Sequence, residues 1–418
     1  MLHKIDTEKL GPRGAAMGQA VGTCVHCGFC LPACPTYQEL ESEMDSPRGR
    51  ILLMKSVLEG DLAVEQAAPH IDRCLGCLAC VTHCPSGVAY GDLISSYRDH
   101  VRQQGKRPWT LRDWLAGMTL PYAERFRWAV RLGRATRPLR RWVPASLRPM
   151  LELIPETLPP PQPLPEVTPA VGRRRGRVAL LAGCAQQVLA PDINASAVRV
   201  LARNGIEVVI PPGQGCCGAL AWHTGHADQA VNFAQRLLST IPRDVDCLVT
   251  TAAGCGSAIH EYPLLLAGTS QTAAGQELAD RALDISVYLR RLELEPVPRL
   301  TRPKRVAYHD ACHLAHAQGV RREPRELLRS VPGLEVVDLV DSDTCCGSAG
   351  TYNIEHPDIA HRLGQRKAQH IRDTAASAVV SGNIGCLVQM QKHLQPWVDH
   401  VAVLHTVQVL DRAYQEIL

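Results

Sequence analysis

Nothing in this chain is long and apolar enough to cross a bilayer, since no run of 18 apolar residues occurs among its 418 positions. Lys plus Arg exceed Asp plus Glu by 45 minus 41, and a formal charge of +4 is too near balance to call for nucleic acid. No phosphate loop occurs and no dinucleotide site is read, so no flavin is expected on this chain. Residues 1–23 are polar and glycine-rich without the apolar core of an export signal, which sets the expectation of a reducing, cytoplasmic location. They are expected to pack only loosely. The length suits two or three domains, each able to bury a core.

Cysteine, by contrast, is abundant, and 17 of them in so long a chain point to metal ligation rather than a disulfide framework. Two runs stand out: Cys24-Val-His-Cys27-Gly-Phe-Cys30-Leu-Pro-Ala-Cys34-Pro35 and Cys74-Leu-Gly-Cys77-Leu-Ala-Cys80-Val-Thr-His-Cys84-Pro85. Each reads C-x2-C-x2-C-x3-C-P. Three thiolates at this spacing wrap one corner of an iron-sulfur cube, while the fourth, held off by proline, reaches a second cube. The crossing assigns Cys24, Cys27, Cys30 and Cys84 to one 4Fe-4S cluster and Cys34, Cys74, Cys77 and Cys80 to another. Zinc knuckles also use C-x2-C pairs, but zinc closes four ligands in one tetrahedron and gives no reason to repeat the run with its proline. Between the runs, Asp45-Ser46-Pro47 opens and Gly60 closes a predicted helix. That intervening length favours a mainly α-helical ferredoxin module over the compact β type. Arg48 and Arg50 stand where they either offset thiolate charge or simply face water.

Residues 107–150 change character. Ten arginines face only Asp113 and Glu124, and four of the six tryptophans (Trp109, Trp114, Trp128, Trp142) fall here. Indole beside guanidinium suits an anionic membrane surface. A helical connector whose tryptophans anchor on its own domain or on a partner subunit is the plainer alternative, because Pro121, Pro138 and Pro144 interrupt any single amphipathic face. Seven prolines between 155 and 169 then form a semi-rigid spacer.

From residue 177 the chain alternates strand, cysteine, helix. Apolar runs at 177–182, 206–210 and 245–250 lead to Cys184, to Cys216-Cys217-Gly218 and to Cys255; runs at 304–308, 334–338 and 378–381 lead to Cys312, to Cys345-Cys346-Gly347 and to Cys386. The offsets (312 minus 184, 346 minus 217, 386 minus 255) are 128, 129 and 131, so the unit is duplicated. Each repeat reads as a Rossmann-like parallel sheet with its functional groups beyond the carboxyl ends of the strands. Each offers four thiolates, enough for a cube or a zinc. The second set, Cys312, Cys345, Cys346 and Cys386, is favoured as a third cluster; the first, Cys184, Cys216, Cys217 and Cys255, as a further cluster or zinc. His309, Asp310 and His313 surround Cys312, with Ser348 and Asn353 after the cysteine pair. His309 and His313 are candidates to ligate or tune a metal centre, against the plain reading of a hydrogen-bonded polar loop. Cys247, inside an apolar strand, reads as a buried core thiol. The expected fold is α+β overall: a mainly α-helical ferredoxin domain over 1–106, a helical connector and proline-rich linker over 107–176, and duplicated α/β units over 177–300 and 301–418.

The repeats resemble the Cys-Cys-Gly domain of heterodisulfide reductase subunits and of the iron-sulfur subunits of several flavin dehydrogenases. In that family the motif usually ends in Cys-x-x-Cys, and in the reductase five cysteines hold a noncubane cluster at the catalytic centre. Ala258 and Gln389 stand at that last position here. The departure turns the expectation toward a plain third cluster, or a zinc in one repeat. Over its whole length the chain resembles the iron-sulfur subunits of glycolate oxidase (glycolate dehydrogenase), on Asp45-Ser-Pro-Arg-Gly-Arg50, the two ferredoxin runs, Thr250-Thr-Ala-Ala-Gly-Cys255-Gly and Cys345-Cys-Gly-Ser-Ala-Gly-Thr-Tyr-Asn353. The resemblance implies an electron-transfer subunit with no catalytic residue of its own. FAD-binding partner subunits would oxidise glycolate or D-lactate, and this chain would pass electrons toward a quinone, in peripheral contact with the inner face of the membrane. Subunits serving L-lactate or glycerol 3-phosphate oxidation share the same cysteine grammar and stay open, as does a catalytic subunit of the heterodisulfide reductase type.

Overall fold

The computed structural model describes residues 1–107, 110–144, 147–395 and 401–418. Trp109 and the side chain of Arg140, one of the ten arginines of 107–150, lie outside the described residues.

Residues 1–106 fold as helices without a strand, the longest being Gly14–Thr23, Pro47–Glu59 and Tyr90–Gln103. The helix expected between the cysteine runs is Pro47–Glu59. Ser46 Oγ accepts from Gly49 N (3.0 Å), Pro47 sits where no amide donor is needed, and Gly60 at φ 83° ends the helix. The first 23 residues pack closely rather than loosely: Met17, Ala20 and Val21 are buried in the ferredoxin core, and the terminal ammonium donates to the carbonyls of Gly22 and Cys24 (2.6 and 2.8 Å). Gly14 and Gly18 serve close approach, since a Cβ on Gly14 would lie 2.0 Å from the Thr7 carbonyl oxygen and one on Gly18 2.5 Å from Thr7 Cγ2.

Two sheets follow. The first comprises β1 (Val167–Thr168), β2 (Gly176–Leu181), β3 (Ile206–Val209), β4 (Cys247–Thr250) and β5 (Ala282–Asp284), in the order β1-β3-β2-β4-β5. The second comprises β6 (Lys304–Tyr308), β7 (Leu334–Asp338), β8 (Ala378–Ser381) and β9 (Ala402–His405), in the order β7-β6-β8-β9. All pairs are parallel except β1 with β3. Leaving β1 aside, both sheets run second-first-third-fourth, the same winding twice. In each, the chain leaves the first strand to one side and then crosses to the other, opening a crevice at the carboxyl ends where ligands of such sheets bind. β5 and β9 were not expected from sequence; each is short and runs directly into a helix, Ile285–Arg290 and Thr406–Tyr414.

The repeats share one core. Val178, Leu180, Ile206 and Cys247 join Val306, Tyr308, Val379 and Leu404 in a continuous apolar cluster. Burying each large aliphatic there contributes roughly 1.5–3 kcal/mol. Cys247 is a buried β4 residue, as expected, with its thiol pushed up to about 12 by burial. Helix Pro191–Arg203 lies on Thr406–Tyr414, where Ser196 Oγ and Arg199 donate to Asp411 (2.8 and 2.6 Å).

The ferredoxin helices lie against both repeats. Arg98 donates to the His223 carbonyl (2.9 Å) on the first, and His356 of the second meets the Asp72 carbonyl (3.1 Å). The connector forms helices Leu111–Thr119 and Ala123–Thr136 and the turn Arg137–Trp142. One face is anchored: Arg127 donates to the carbonyls of Pro159 and Gln187 (2.8 and 2.9 Å), and Arg112 to that of Ile354 (3.2 Å). The described tryptophans of this segment are exposed. Trp114, Trp128 and Trp142 are 52, 67 and 76% exposed, with Arg131 and Arg141 stacked over the last two. Among the described residues no helix is long and apolar enough to cross a membrane.

Candidate metal centres

Each ferredoxin run curls where the backbone turns left-handed, at His26 and Gly28 in the first (φ 56° and 85°) and at Gly76 and Leu78 in the second (61° and 62°). Amides then face sulfur: Gly76 N donates to Cys74 Sγ (3.4 Å) and Val88 N to Cys84 Sγ (3.5 Å). Pro35 opens helix Pro35–Leu40 and so turns the chain away just after Cys34. The result is two cavities. Cys24, Cys27, Cys30 and Cys84 line one, with about 410 Å³ not filled by protein atoms and partly open to solvent. Cys34, Cys74, Cys77 and Cys80 line the other, about 300 Å³. Each run thus sends its fourth cysteine to the cavity of the other. Cys80 lines both, so the cavities are neighbours.

Arg50 settles one of the two roles left open for the arginine pair. It is buried, with Nε donating to the His70 carbonyl (2.8 Å) and its terminal nitrogens 3.8 Å from Cys34 Sγ and 3.5 Å from Asp45 Oδ1. Burial opposes its charge, but Cys74, Tyr90, Cys34 and Asp45 hold its pKa raised. Burial likewise pushes the Cys74 thiol up, and Arg50 with Arg98 overcomes it, leaving the thiol below its ordinary range. Cys77 and Cys80 are pushed well up, first by burial and then by the neighbouring thiols Cys312 and Cys77 respectively. Arg48 remains at the rim of the first cavity, donating to the His26 carbonyl (3.1 Å) and Glu43 (2.8 Å). Buried thiols grouped around a buried guanidinium fit an anionic, thiolate-held group such as an iron-sulfur cube.

In the second repeat the four expected cysteines meet. Cys345 touches Cys312 and Cys346, which in turn touches Cys386. Contacts with Cys345, Cys386 and then His309 hold the Cys346 thiol far below its ordinary range. Asn383 Nδ2 donates to Cys386 Sγ (3.5 Å). The polar residues around Cys312 divide. His309 is fully buried, and one of its ring nitrogens and the Sγ atoms of Cys346 and Cys386 form a group within 4.8 Å. Asp310 is taken up by Arg325 (2.7 Å to each oxygen) and Ser342 (2.7 Å). His313 turns to Ser257 Oγ of the first repeat (2.7 Å) and stacks on His223, and burial followed by His223 lowers its pKa to about 4. Ser348 is buried behind Gly385, and Asn353 donates to Gln389 (3.1 Å). Gln389 spends its own amide on the Ala360 carbonyl (3.1 Å).

The first repeat also gathers its set, Cys184 against Cys216 and Cys217 against Cys255, with the Tyr262 hydroxyl donating to the Cys217 carbonyl (2.7 Å). Its loop Gly213-Gln-Gly215-Cys216-Cys217-Gly218 has the glycine spacing of a dinucleotide fingerprint. The helix it opens, Ala219–His223, is only five residues long, and the loop brings thiols to the crevice instead.

The sites are contiguous. Leu75, Cys77 and Ala79 pack with Cys312 and Cys345 in one apolar cluster, joining the second ferredoxin cavity to the second repeat. Asn383, bonded to Cys386, also accepts from Gly254 N (3.5 Å), beside Cys255.

Sequence reasoning missed Lys367, Tyr90 and Asn383. Lys367 is 3% exposed, and burial lowers its pKa against the pull of Cys346 and Cys345. It sits on the buried stripe Ile359, Leu363, Lys367, Ile371 of helix Pro357–Asp373, a legible anomaly for a charged residue. Tyr90, whose hydroxyl is 3.5 Å from Cys74 Sγ, follows its cysteine run without any spacing signal.

Residues 20–88 match the 4Fe-4S dicluster domain family, and residues 178–260 and 306–391 each match the family described as cysteine-rich domain. The glycolate oxidase iron-sulfur subunit of Escherichia coli (strain K12) is 36% identical over 400 residues, covering 94% of each chain. The chain belongs to the family of glycolate oxidase iron-sulfur subunits. The probable member from Bacillus subtilis (strain 168) is 35% identical over 88% of each chain. A fumarate reductase (CoM/CoB) subunit from Methanothermobacter marburgensis is 28% identical over 94% of this chain and 72% of that one. Iron-sulfur chemistry is therefore the chemistry of this glycolate oxidase family member, which carries one dicluster domain and two cysteine-rich domains.

Proposed function

We propose that this chain is the electron-transfer subunit of a flavin-dependent dehydrogenase acting on glycolate or D-lactate, taking electrons from FAD-binding partner subunits and delivering them toward a quinone. A bound 4Fe-4S cluster takes up and releases one electron at a time, which suits it to follow a two-electron flavin. In this reading Cys24, Cys27, Cys30 and Cys84 hold one cluster, and Cys34, Cys74, Cys77 and Cys80 a second. Cys312, Cys345, Cys346 and Cys386 hold a third, and Cys184, Cys216, Cys217 and Cys255 a further cluster or a zinc. The observation that carries it is the unbroken succession of thiol sites: a shared Cys80, the packing of Cys77 against Cys312, and the Asn383 link toward Cys255. Arg50 offsets thiolate charge in the second cavity, and Lys367 stands near the second-repeat thiols.

The functional parts are then residues 1–106, 107–176, 177–300 and 301–418. We assign the exposed Trp128 and Trp142 face to the inner surface of the cell membrane, with the chain on its cytoplasmic side. The test is anaerobic copurification with the flavin subunits followed by addition of glycolate, D-lactate, L-lactate or glycerol 3-phosphate. Bleaching of the iron-sulfur absorbance by glycolate or D-lactate is expected. Bleaching by one of the others alone would move the chain to a related dehydrogenase, and no bleaching by any would refute the role. Gln389 and Ala258 weigh against disulfide chemistry, which a thiol-dependent noncubane EPR signal would restore.

A further inference from the structure

We infer that the second repeat holds its metal centre through five residues, the four thiolates of Cys312, Cys345, Cys346 and Cys386 and the imidazole of His309. This deepens the assignment of a third cluster and rests on it. His309 follows directly on β6, and its backbone amide donates to the Val380 carbonyl of β8 (2.9 Å), so the ring is fixed at the switch-point crevice. It is 0% exposed, and among the described residues neither ring nitrogen meets an oxygen or nitrogen partner, the polar neighbour being the Cys346 thiol. An imidazole carries a donor and an acceptor, and burying both unpaired is costly unless something else satisfies them. The groups within reach are the Sγ atoms of Cys346 and Cys386, all inside 4.8 Å.

The family motif places a fifth sulfur one helical turn after the third-strand cysteine, but Gln389 stands there and is bonded to Asn353 and the Ala360 carbonyl. His309 approaches from β6 and supplies a fifth donor. The first repeat has no equivalent: 309 minus the 128 offset is 181, and Leu181 lies in its apolar core. Five donors exceed the four that close a structural zinc site and suit a cluster with more than one iron. A neutral imidazole in place of a thiolate also removes a negative charge, which raises the potential of this centre above an all-thiolate one.

The test uses the full chain, labelled with nitrogen-15 histidine, reduced anaerobically and read by pulsed EPR. We expect the signal additional to the two ferredoxin clusters to carry the strong nitrogen coupling of a bound imidazole. The coupling should vanish in His309→Ala and His309→Cys and persist in His313→Ala. His309→Cys should keep the iron content and lower the midpoint potential, separating loss of the imidazole from loss of the centre. An additional iron signal without histidine coupling, or a coupling that survives in His309→Cys, overturns the inference and leaves the electron-transfer role standing. Zinc without any additional iron signal overturns it too, while bleaching of the ferredoxin clusters by glycolate still decides the wider role.

Discussion

Replacing Arg50 with methionine tests whether the buried guanidinium sets the properties of the second ferredoxin cavity. Its terminal nitrogen is 3.8 Å from Cys34 Sγ. Two unit charges about 4 Å apart interact by about 4 kcal/mol at an effective dielectric of 20. Charge added on reduction spreads over a whole cluster, so roughly 1–3 kcal/mol is a fairer share, or about 40–130 mV for one electron. Losing the cation makes reduction harder, so the midpoint potential of one cluster falls by that amount and the other moves less. Arg50→Lys, which keeps the charge, should recover most of the shift. The variant also breaks a buried ion pair, which ordinarily costs roughly 3–5 kcal/mol. Asp45 keeps His70 and Arg73 as partners (3.0 Å each), placing the cost at the low end. Anaerobic redox titration followed by EPR, normalised to iron content, reads the shift. An unchanged or raised potential in Arg50→Met at full iron content would refute the reasoning.

Cys27→Ser should cost about four irons per chain while Cys247→Ser costs none, by iron assay of anaerobically purified protein; equal losses would mean Cys247 is no mere core thiol. Asp284 tests the α/β core: one oxygen accepts from Ser286 N (2.8 Å), the other has no partner among the described residues, and burial raises its pKa to about 6. Because the folded value lies above the unfolded one, its contribution is full below about pH 4 and is lost as pH rises through 6, a span of roughly 3 kcal/mol. Asp284→Asn keeps the cap and removes that loss, so its gain in melting temperature should be larger at pH 7.5 than at pH 5; a pH-independent difference would contradict it. Paired Trp128→Ser and Trp142→Ser should weaken sedimentation with anionic vesicles roughly tenfold, and undiminished binding would remove the membrane assignment.

The strands that carry cysteine were legible because each is a short apolar run followed within a few residues by a thiol, and the 128–131 offsets fixed their repetition. The crossing of Cys34 and Cys84 between cavities followed from the proline after each run. The N-terminal segment misled because small residues read as flexibility when their use is close packing, as at Gly14. β5 and β9 escaped because three or four residues running straight into a helix carry too little periodicity. Sequence placed His309 and His313 together as tuning candidates. Only the structure separates them, turning one ring to the thiols and the other to Ser257.

Iron, acid-labile sulfide and zinc analysis of the anaerobically purified chain bears most directly on the central claim. Two clusters in the ferredoxin cavities require about eight irons with matching sulfide, and the second repeat adds more. Iron and sulfide near zero, with zinc in their place, would contradict the account.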